Sequence, residues 1–311
     1  MSLERALELA GAAHGRAYPK PTIGAVVVRD GEVVGEGVTE TRGRHGEIVA
    51  LEQAGERARD GTLHVTMEPC AHHGTTPPCV DAILAAGVAK VVAASRDPNP
   101  EAAGGLDSLR AAGVAVELDD RFEARRQNEA WRTWVTARRP FVTYKVAATL
   151  DGRVTVPGSR WVSGDESRRL VHELRAASDA VAVGMGTVRL ENPRLDARDV
   201  PVARQPRGLA FGTGPLPEGS ELELRPGPIE DELRTLAAEG VQSLLLEGGP
   251  TLAGAFLRAG FVDKLLLFVA PVLSGEGPGI LDRLDEPIRP LHVSSRRVGE
   301  DVLVEAYLRE P

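Results

Sequence analysis

Short β-branched apolar runs alternate with helix-length segments along the whole 311-residue chain. That alternation constrains the fold more than any other feature. A strand that feeds a helix and then another strand returns to the same sheet in parallel, with helices covering the faces. Residues 23–29 (IGAVVVR) predict a buried strand, with 33–38 as its hairpin partner across Asp30-Gly31. Further strands are expected at 62–66, 90–95 and 114–118. Helices are expected at 46–58, from Pro78 and Cys79 to Gly87, at 106–113, and as one long segment over 121–137. Arg138-Arg139-Pro140 breaks the pattern, and FVTYKVAATLDG (141–152) opens a second series. In that series 180–184, 243–249 and 263–270 read as strands, and 167–177, 229–239 and 250–259 as helices. The expectation is two α/β domains with largely parallel sheets, 1–139 and 140–311, consistent with about 150 residues per domain.

Composition narrows the function. No apolar run approaches the ~18 residues of a membrane span. The start, MSLERALELAGAAHG, sets Glu4 and Glu8 among apolar residues, which reads as an amphipathic helix and not a signal peptide. The formal charge is −8 and aromatics are 4%, a poor match to tracking phosphate backbones or stacking on bases. A cytoplasmic enzyme of small molecules is expected, with no nucleic-acid or membrane partner. Cys70 and Cys79 are the only cysteines, and a reducing compartment favours thiols over a disulfide between them.

Three short segments carry metal chemistry: His45-Gly46-Glu47, Glu68-Pro69-Cys70 and Pro77-Pro78-Cys79. One imidazole and two thiolates suit Zn2+, and three protein ligands leave the fourth tetrahedral position open, the arrangement of catalytic zinc. His45 and Cys70 are each expected just before a helix and Cys79 in a helical first turn, where the helix dipole favours thiolate. Glu47, two residues from His45, stands where a proton carrier belongs. The zinc-deaminase signature is H-x-E followed by P-C-x-x-C, whereas here eight residues, AHHGTTPP, separate the cysteines. Two blander alternatives use the same residues: inert buried thiols, and a closed structural zinc site with His72 or His73 as fourth ligand.

EPCAHHGTTPPC (68–79), with SRDPNP (95–100) downstream, closely resembles the deaminase half of the bifunctional riboflavin-biosynthesis deaminase/reductases, the RibD (RibG) family. RRPFVTYKVAATLDGRV (138–154), residues 159–195 and LLLEGGPTLAGAFL (244–257) resemble its reductase half in the same order. The resemblance implies a cytidine-deaminase-like three-layer α/β/α domain followed by a dihydrofolate-reductase-like α/β domain. It implies zinc-dependent deamination of 2,5-diamino-6-(ribosylamino)-4(3H)-pyrimidinone 5′-phosphate, then NADPH-dependent reduction of the ribosyl chain to ribityl. Carried over by motif, His45, Cys70 and Cys79 are zinc ligands and Glu47 the proton shuttle. Ala147, Trp161, Thr187, Glu191 and Gly248, Gly249, Pro250 and Thr251 line the NADPH site. Ser159, Arg175, Leu195, Arg198 and Glu247 face the sugar phosphate. The family also implies a homo-oligomer formed through the reductase half.

This chain departs from the family in places. Pro19-Lys20-Pro21 stands where the family has P-N-P, an Asn that helps bind the pyrimidine. His-Gly-Glu replaces H-A-E, at a helix-propensity cost of about 1 kcal/mol or less. The glycine stretch after DPNP is shortened to Ala103-Gly104-Gly105-Leu106, and Glu191-Asn192-Pro193 is a mild variant of the family's acidic dipeptide.

Residues 141–311 contain no G-x-G-x-x-G. Glu247-Gly248-Gly249 follows an apolar strand and opens a helix, a context suited to pyrophosphate. Gly184-Met185-Gly186-Thr187 offers a second glycine turn with a hydroxyl. Arg175 and Arg198 are cationic forks for a ribose phosphate, and Lys145 and Asp151 are candidates to position the opened ribose, although Asp151-Gly152 also reads as a plain turn. Rival functions are a zinc deaminase of another pyrimidine or of nucleic acid, with an inactive or repurposed second domain, and a non-enzymatic zinc module.

Overall fold

A computed structural model describes residues 2–13, 15, 17–41, 43–73 and 77–311. Its backbone contacts divide the chain after Ala137, with Arg138–Glu310 as the second compact unit.

The first unit is built on a five-stranded sheet. Its strands are β1 (Gly24–Arg29), β2 (Glu32–Val38), β3 (Thr62–Val65), β4 (Lys90–Ala93) and β5 (Ala115–Leu118), in the order β2-β1-β3-β4-β5. The expected β1–β2 hairpin forms, and β3, β4 and β5 run parallel. β1 and β3 pair antiparallel, so parallel character is confined to half of this sheet. Side-chain alternation sorts the strands onto two faces. Val91 and Ala93 share a core with Ala50, Leu51, Ile83, Leu106 and Leu109. These come from helices α2 (Gly46–Ala54), α3 (Cys79–Ala86) and α4 (Gly105–Ala111). Val92 and Ala94 point the other way, packing with Leu3 of α1 (Ser2–Ala12) and Ala124 of α5 (Phe122–Gln127). The result is three layers.

Two helices are shorter than the pattern suggests. The segment expected over 46–58 is α-helical to Ala54 and then tightens into a 3-10 turn, Gly55–Ala58. The segment expected over 121–137 is broken at Asn128 into α5 and α6 (Glu129–Ala137). The break has a use. Asn128 is buried, its Oδ1 accepts the Thr22 N–H at 2.8 Å and its Nδ2 donates to the Thr22 carbonyl at 3.1 Å.

The second unit carries eight strands: β6 (Phe141–Thr149), β7 (Ala180–Gly184), β8 (Arg207–Phe211), β9 (Glu223–Arg225), β10 (Ser243–Leu246), β11 (Lys264–Ala270), β12 (His292–Val298) and β13 (Asp301–Tyr307). Their order is β12-β13-β11-β6-β10-β7-β8-β9. From β11 to β9 every pair is parallel, and only β11–β13–β12 is antiparallel. Helices α9 (Ile229–Ala238) and α10 (Pro250–Arg258) bury Leu233, Leu236 and Phe256 on one face. On the other face, α7 (Asp165–Ala177) and α8 (Met185–Glu191) contribute Val171, Met185 and Val188. Asp263, 2% exposed, ties the start of this unit together by accepting both nitrogens of Arg139 at 2.6 Å and the Val142 N–H at 2.8 Å.

β8, β9, β12, β13 and α8 have no counterpart in the sequence pattern. β12 shows why: six of its seven residues are exposed, so it carries no alternating apolar face.

Glycine sets how closely α2 lies on the β1–β2 hairpin. A Cβ on Gly37 would stand 2.2 Å from the Gly46 carbonyl oxygen, and one on Gly46 would stand 2.4 Å from the Ile23 carbonyl oxygen. Gly46 is therefore a packing requirement here and not merely a tolerated change. Gly37→Ala is expected to lift α2 off the hairpin, costing about 1–3 kcal/mol and weakening zinc retention with it. Thermal unfolding alongside bound-zinc stoichiometry measures both effects; an unchanged midpoint with full zinc content would contradict the close-approach account.

Candidate metal centre and glycine-turn site

His45 is the N-cap residue of α2, with extended backbone at φ −76°, ψ 148°. Cys79 opens α3 and is fully buried. Cys70 is not just before a helix as expected; it lies in the loop after β3. Its sulfur nevertheless reaches the start of α3, accepting the Cys79 N–H at 3.3 Å. His45 Nδ1 is 3.1 Å from Cys79 Sγ and 3.6 Å from Cys70 Sγ, and the three donor atoms lie within 4.8 Å of one another. Donors around a tetrahedral zinc, at ~2.3 Å for sulfur and ~2.0 Å for nitrogen, stand roughly 3.5–3.8 Å apart. The donor set therefore fits zinc. Among the described residues the convergent group consists of these three, so neither His72 nor His73 closes the site, and both cysteines are free thiols.

Glu47 completes the centre. It is 3% exposed, and its Oε2 has no hydrogen-bond partner among the described residues. Burial pushes its carboxyl above the usual range, opposed by the charge of His45. The two thiols are pushed in opposite directions. Donation by Cys79 holds Cys70 down to about 4, with His45 adding to it against burial. Cys79 keeps its proton well above the ordinary range, because of that bond to Cys70 and its own burial. An incoming cation displaces it.

The centre opens into a cavity of about 290 Å³ whose lining includes Lys20, Glu68, His72, Asp97, Asn99 and Trp131. Glu68 organises it. Its Oε1 accepts the N–H groups of Gly104 and Leu106 at 3.2 and 3.0 Å, and its Oε2 accepts that of Asp97 at 3.1 Å. One buried carboxylate thereby fixes the loops after β3 and β4 and the start of α4.

In the second unit, the glycine turns Gly184–Thr187 and Glu247–Thr251 leave the carboxyl ends of the neighbouring parallel strands β7 and β10. Both approach Leu252: a Cβ on Gly248 would lie 2.9 Å from it and one on Gly184 3.5 Å. The Gly184 turn opens α8, a helix absent from the expectation, with Thr187 in its first turns and Glu191 as its last residue. Gly249 caps α10 and Pro250 begins it. On the other side of β10, β6 carries Lys145 and Ala147.

Arg175 and Glu247, both expected at the sugar phosphate, are bound to each other: Nε to Oε1 at 2.6 Å and Nη2 to Oε2 at 3.0 Å. The pair is 14% and 10% exposed. Burial raises the Glu247 carboxyl, but Arg175 and Lys145 outweigh it and bring it below the usual range. Burial lowers the Lys145 ammonium, offset in part by Glu247. Arg198 is largely exposed beside Asp196 and donates its N–H to His172 Nδ1 at 3.2 Å. The Leu195 side chain is in the core, at φ +58°. Ser159 Oγ donates to the Trp161 carbonyl at 2.8 Å, and the exposed indole lies under the guanidinium groups of Arg160 and Arg168. Asp151 holds a turn: it accepts from Thr149 Oγ1 and from the N–H groups of Ser274 and Gly275.

Residues 1–95 match the cytidine and deoxycytidylate deaminase zinc-binding region, and residues 140–213 and 228–304 match the RibD C-terminal domain. The riboflavin biosynthesis protein RibD of Aquifex aeolicus is 37% identical over 97% of this chain and 96% of its own. The structure of Acinetobacter baumannii RibD superposes with a TM-score of 0.83 at 31% identity, covering 98% of this chain and 97% of that one. A Thermotoga maritima structure described as a diaminohydroxyphosphoribosylaminopyrimidine deaminase/5-amino-6-(5-phosphoribosylamino)uracil reductase superposes at 0.82 with 33% identity, over 98% and 97% of the two chains. The chain belongs to the RibD family. It is a bifunctional deaminase/reductase of riboflavin biosynthesis, with a zinc-binding deaminase half and a reductase half.

For a RibD protein the cavity holds two polar residues of the SRDPNP segment to which sequence reasoning gives no role. Asp97 and Asn99 both line it, and Asn99 N–H donates to Asp97 Oδ1 at 2.8 Å. Their signal is the dense polar run directly after a buried strand. Burial raises the Asp97 carboxyl to about 6. The folded protein therefore binds this proton more tightly than the unfolded chain, and stability attributable to Asp97 falls as pH rises from about 4 through about 6. Asp97→Asn is expected to raise the unfolding midpoint more at pH ~7.5 than at pH ~5. Equal shifts at both, followed by denaturant unfolding, would count against the burial of an ionised Asp97.

Proposed function

We propose that the first unit deaminates 2,5-diamino-6-(ribosylamino)-4(3H)-pyrimidinone 5′-phosphate with zinc held by His45, Cys70 and Cys79 and with Glu47 as proton carrier. The single observation that carries this is the convergence of three donor atoms within 4.8 Å beside a buried carboxylate whose second oxygen has no other partner among the described residues. When bound, zinc supplies the Lewis acidity that makes water nucleophilic near neutral pH. Glu47 accepts a proton from the attacking water as the C2–O bond forms. It returns that proton to the amine nitrogen as the C2–N bond breaks and ammonia leaves. Its raised proton affinity suits a group that must take a proton and give it back. The 5-amino-6-(ribosylamino)uracil phosphate results.

The second unit then reduces the ribosyl chain to ribityl with NADPH, which supplies the hydride. The turns Gly184–Thr187, with Glu191, and Gly248–Thr251, with Ala147 and Trp161, are assigned to the cofactor. Their position at the carboxyl ends of adjacent parallel strands supports this, since ligands of open α/β sheets bind there. Ser159, Arg175, Leu195, Arg198 and Glu247 are assigned to the sugar phosphate. Arg198 is the exposed cation of this set, Leu195 offers only its backbone, and the Arg175–Glu247 pair positions its neighbours. The protein acts in the cytoplasm, where thiols stay available to a metal, on a small molecule and on no nucleic acid or membrane; among the described residues no helix is long and apolar enough to cross one. We assign homo-oligomerisation to the reductase half, supported by the exposed edge strand β12 with Val293 and by Leu291 just before it.

Glu47→Gln is expected to keep its zinc while ammonia release falls ~10²-fold or more. NADPH oxidation on externally supplied deaminated intermediate continues in that variant. Retention of the full deaminase rate would remove Glu47 from the mechanism.

A further inference from the structure

We propose that Lys20 anchors the phosphate of the deaminase substrate at the rim of the first unit's cavity. This rests on the substrate class proposed above, a pyrimidine riboside ending in a phosphate monoester.

The charges around the cavity are uneven. Glu47, Glu68 and Asp97 all line it, and Lys20 is the one lysine or arginine among the described lining residues. Acidic walls repel a phosphate dianion and accept a neutral ring with amino groups. The ring end of the substrate therefore belongs inside, against His45 and Glu47, and the phosphate end belongs outside. Depth sorts the residues the same way. Glu47, Glu68 and Asp97 are buried, whereas Lys20 is exposed.

The position of Lys20 is built. Its N–H donates to the Ala17 carbonyl at 2.9 Å, and two residues on, Thr22 is clamped through both backbone groups by Asn128. The chain between them contains Pro21, which restricts it further. On the facing loop, Gly43 has φ +86°, and a Cβ there would lie 3.0 Å from Lys20 Nζ. The bare backbone of Gly43 thus leaves room for the ammonium where the chain runs into His45. An ammonium has three donors on one compact charge, so it serves a phosphate as a point cation while keeping other contacts. Two of the three acids that line the cavity are engaged by the backbone. Glu68 accepts three N–H groups and Asp97 accepts that of Asn99.

The decisive experiment compares two substrates on the zinc-loaded full chain by ammonia release: the diaminopyrimidine riboside 5′-phosphate and the same riboside without phosphate. Wild type is expected to prefer the phosphorylated form in kcat/KM, and Lys20→Met to lose about tenfold or more of that preference, mostly through KM. Lys20→Arg is expected to keep most of it. In wild type and Lys20→Arg, but not in Lys20→Met, the preference is expected to shrink with added salt. A Lys20→Met variant with the wild-type preference, or one weakened equally toward both substrates, would overturn the assignment, the second by placing Lys20 on the ring. Absence of ammonia release from either substrate by wild type would instead sink the substrate class on which the assignment rests.

Discussion

In both units loops that leave the carboxyl ends of parallel strands build one wall of the candidate site, and in the first unit the starts of α2 and α3 bring His45, Glu47 and Cys79 to that wall. In the first unit the loop after β3 delivers Glu68 and Cys70, and the loop after its parallel neighbour β4 delivers Asp97 and Asn99. In the second, β6, β10 and β7 lie side by side, the Glu247 and Gly184 turns leave β10 and β7 at one edge, and Lys145 stands on β6 just past the last residue paired with β10. Parallel pairing makes this geometry available because each strand must be followed by a crossover, and the crossovers all depart from the same edge.

Holding such loops requires buried charge, and these buried charges are saturated with partners. Glu68 is surrounded by backbone N–H donors, Asp263 takes a bidentate arginine and an N–H, and Glu247 takes a bidentate Arg175. Removing one member of such a pair leaves an uncompensated charge, which costs about 3–5 kcal/mol. Glu47 is the contrast: equally buried, yet with one oxygen unsatisfied among the described residues. A fold that pairs these other buried carboxylates leaves this one open beside the three donors that fit zinc, which is what the proposed proton-carrier role requires.

Most of the deaminase core is legible in the sequence. Alternation places β1 to β5 within a residue or two, and the three metal-binding segments stand out by residue type alone. What stays hidden depends on long-range contacts. Glu68 reads as part of a cysteine motif, and nothing local says that its carboxylate binds residues 36 and 38 positions away. The break at Asn128 is invisible because the amphipathic pattern continues across it, and its cause is a partner 106 residues away. In the reductase half, β12 lacks an apolar face, and β9, at three residues, is too short for periodicity to register. Arg175 and Glu247 add a long-range contact of the same kind: nothing local says that these two groups, 72 residues apart, bind each other.

The central claim is that one chain runs two dependent steps, the first needing the zinc centre and the second the nicotinamide. The most direct measurement follows nicotinamide absorbance in one cuvette containing the zinc-loaded protein, the diaminopyrimidine ribosyl phosphate and NADPH, and repeats it after chelation of the metal. NADPH oxidation that stops on zinc removal and resumes when the deaminated intermediate is added is the predicted result. Oxidation that continues without zinc, or no oxidation although ammonia is released, would contradict the account.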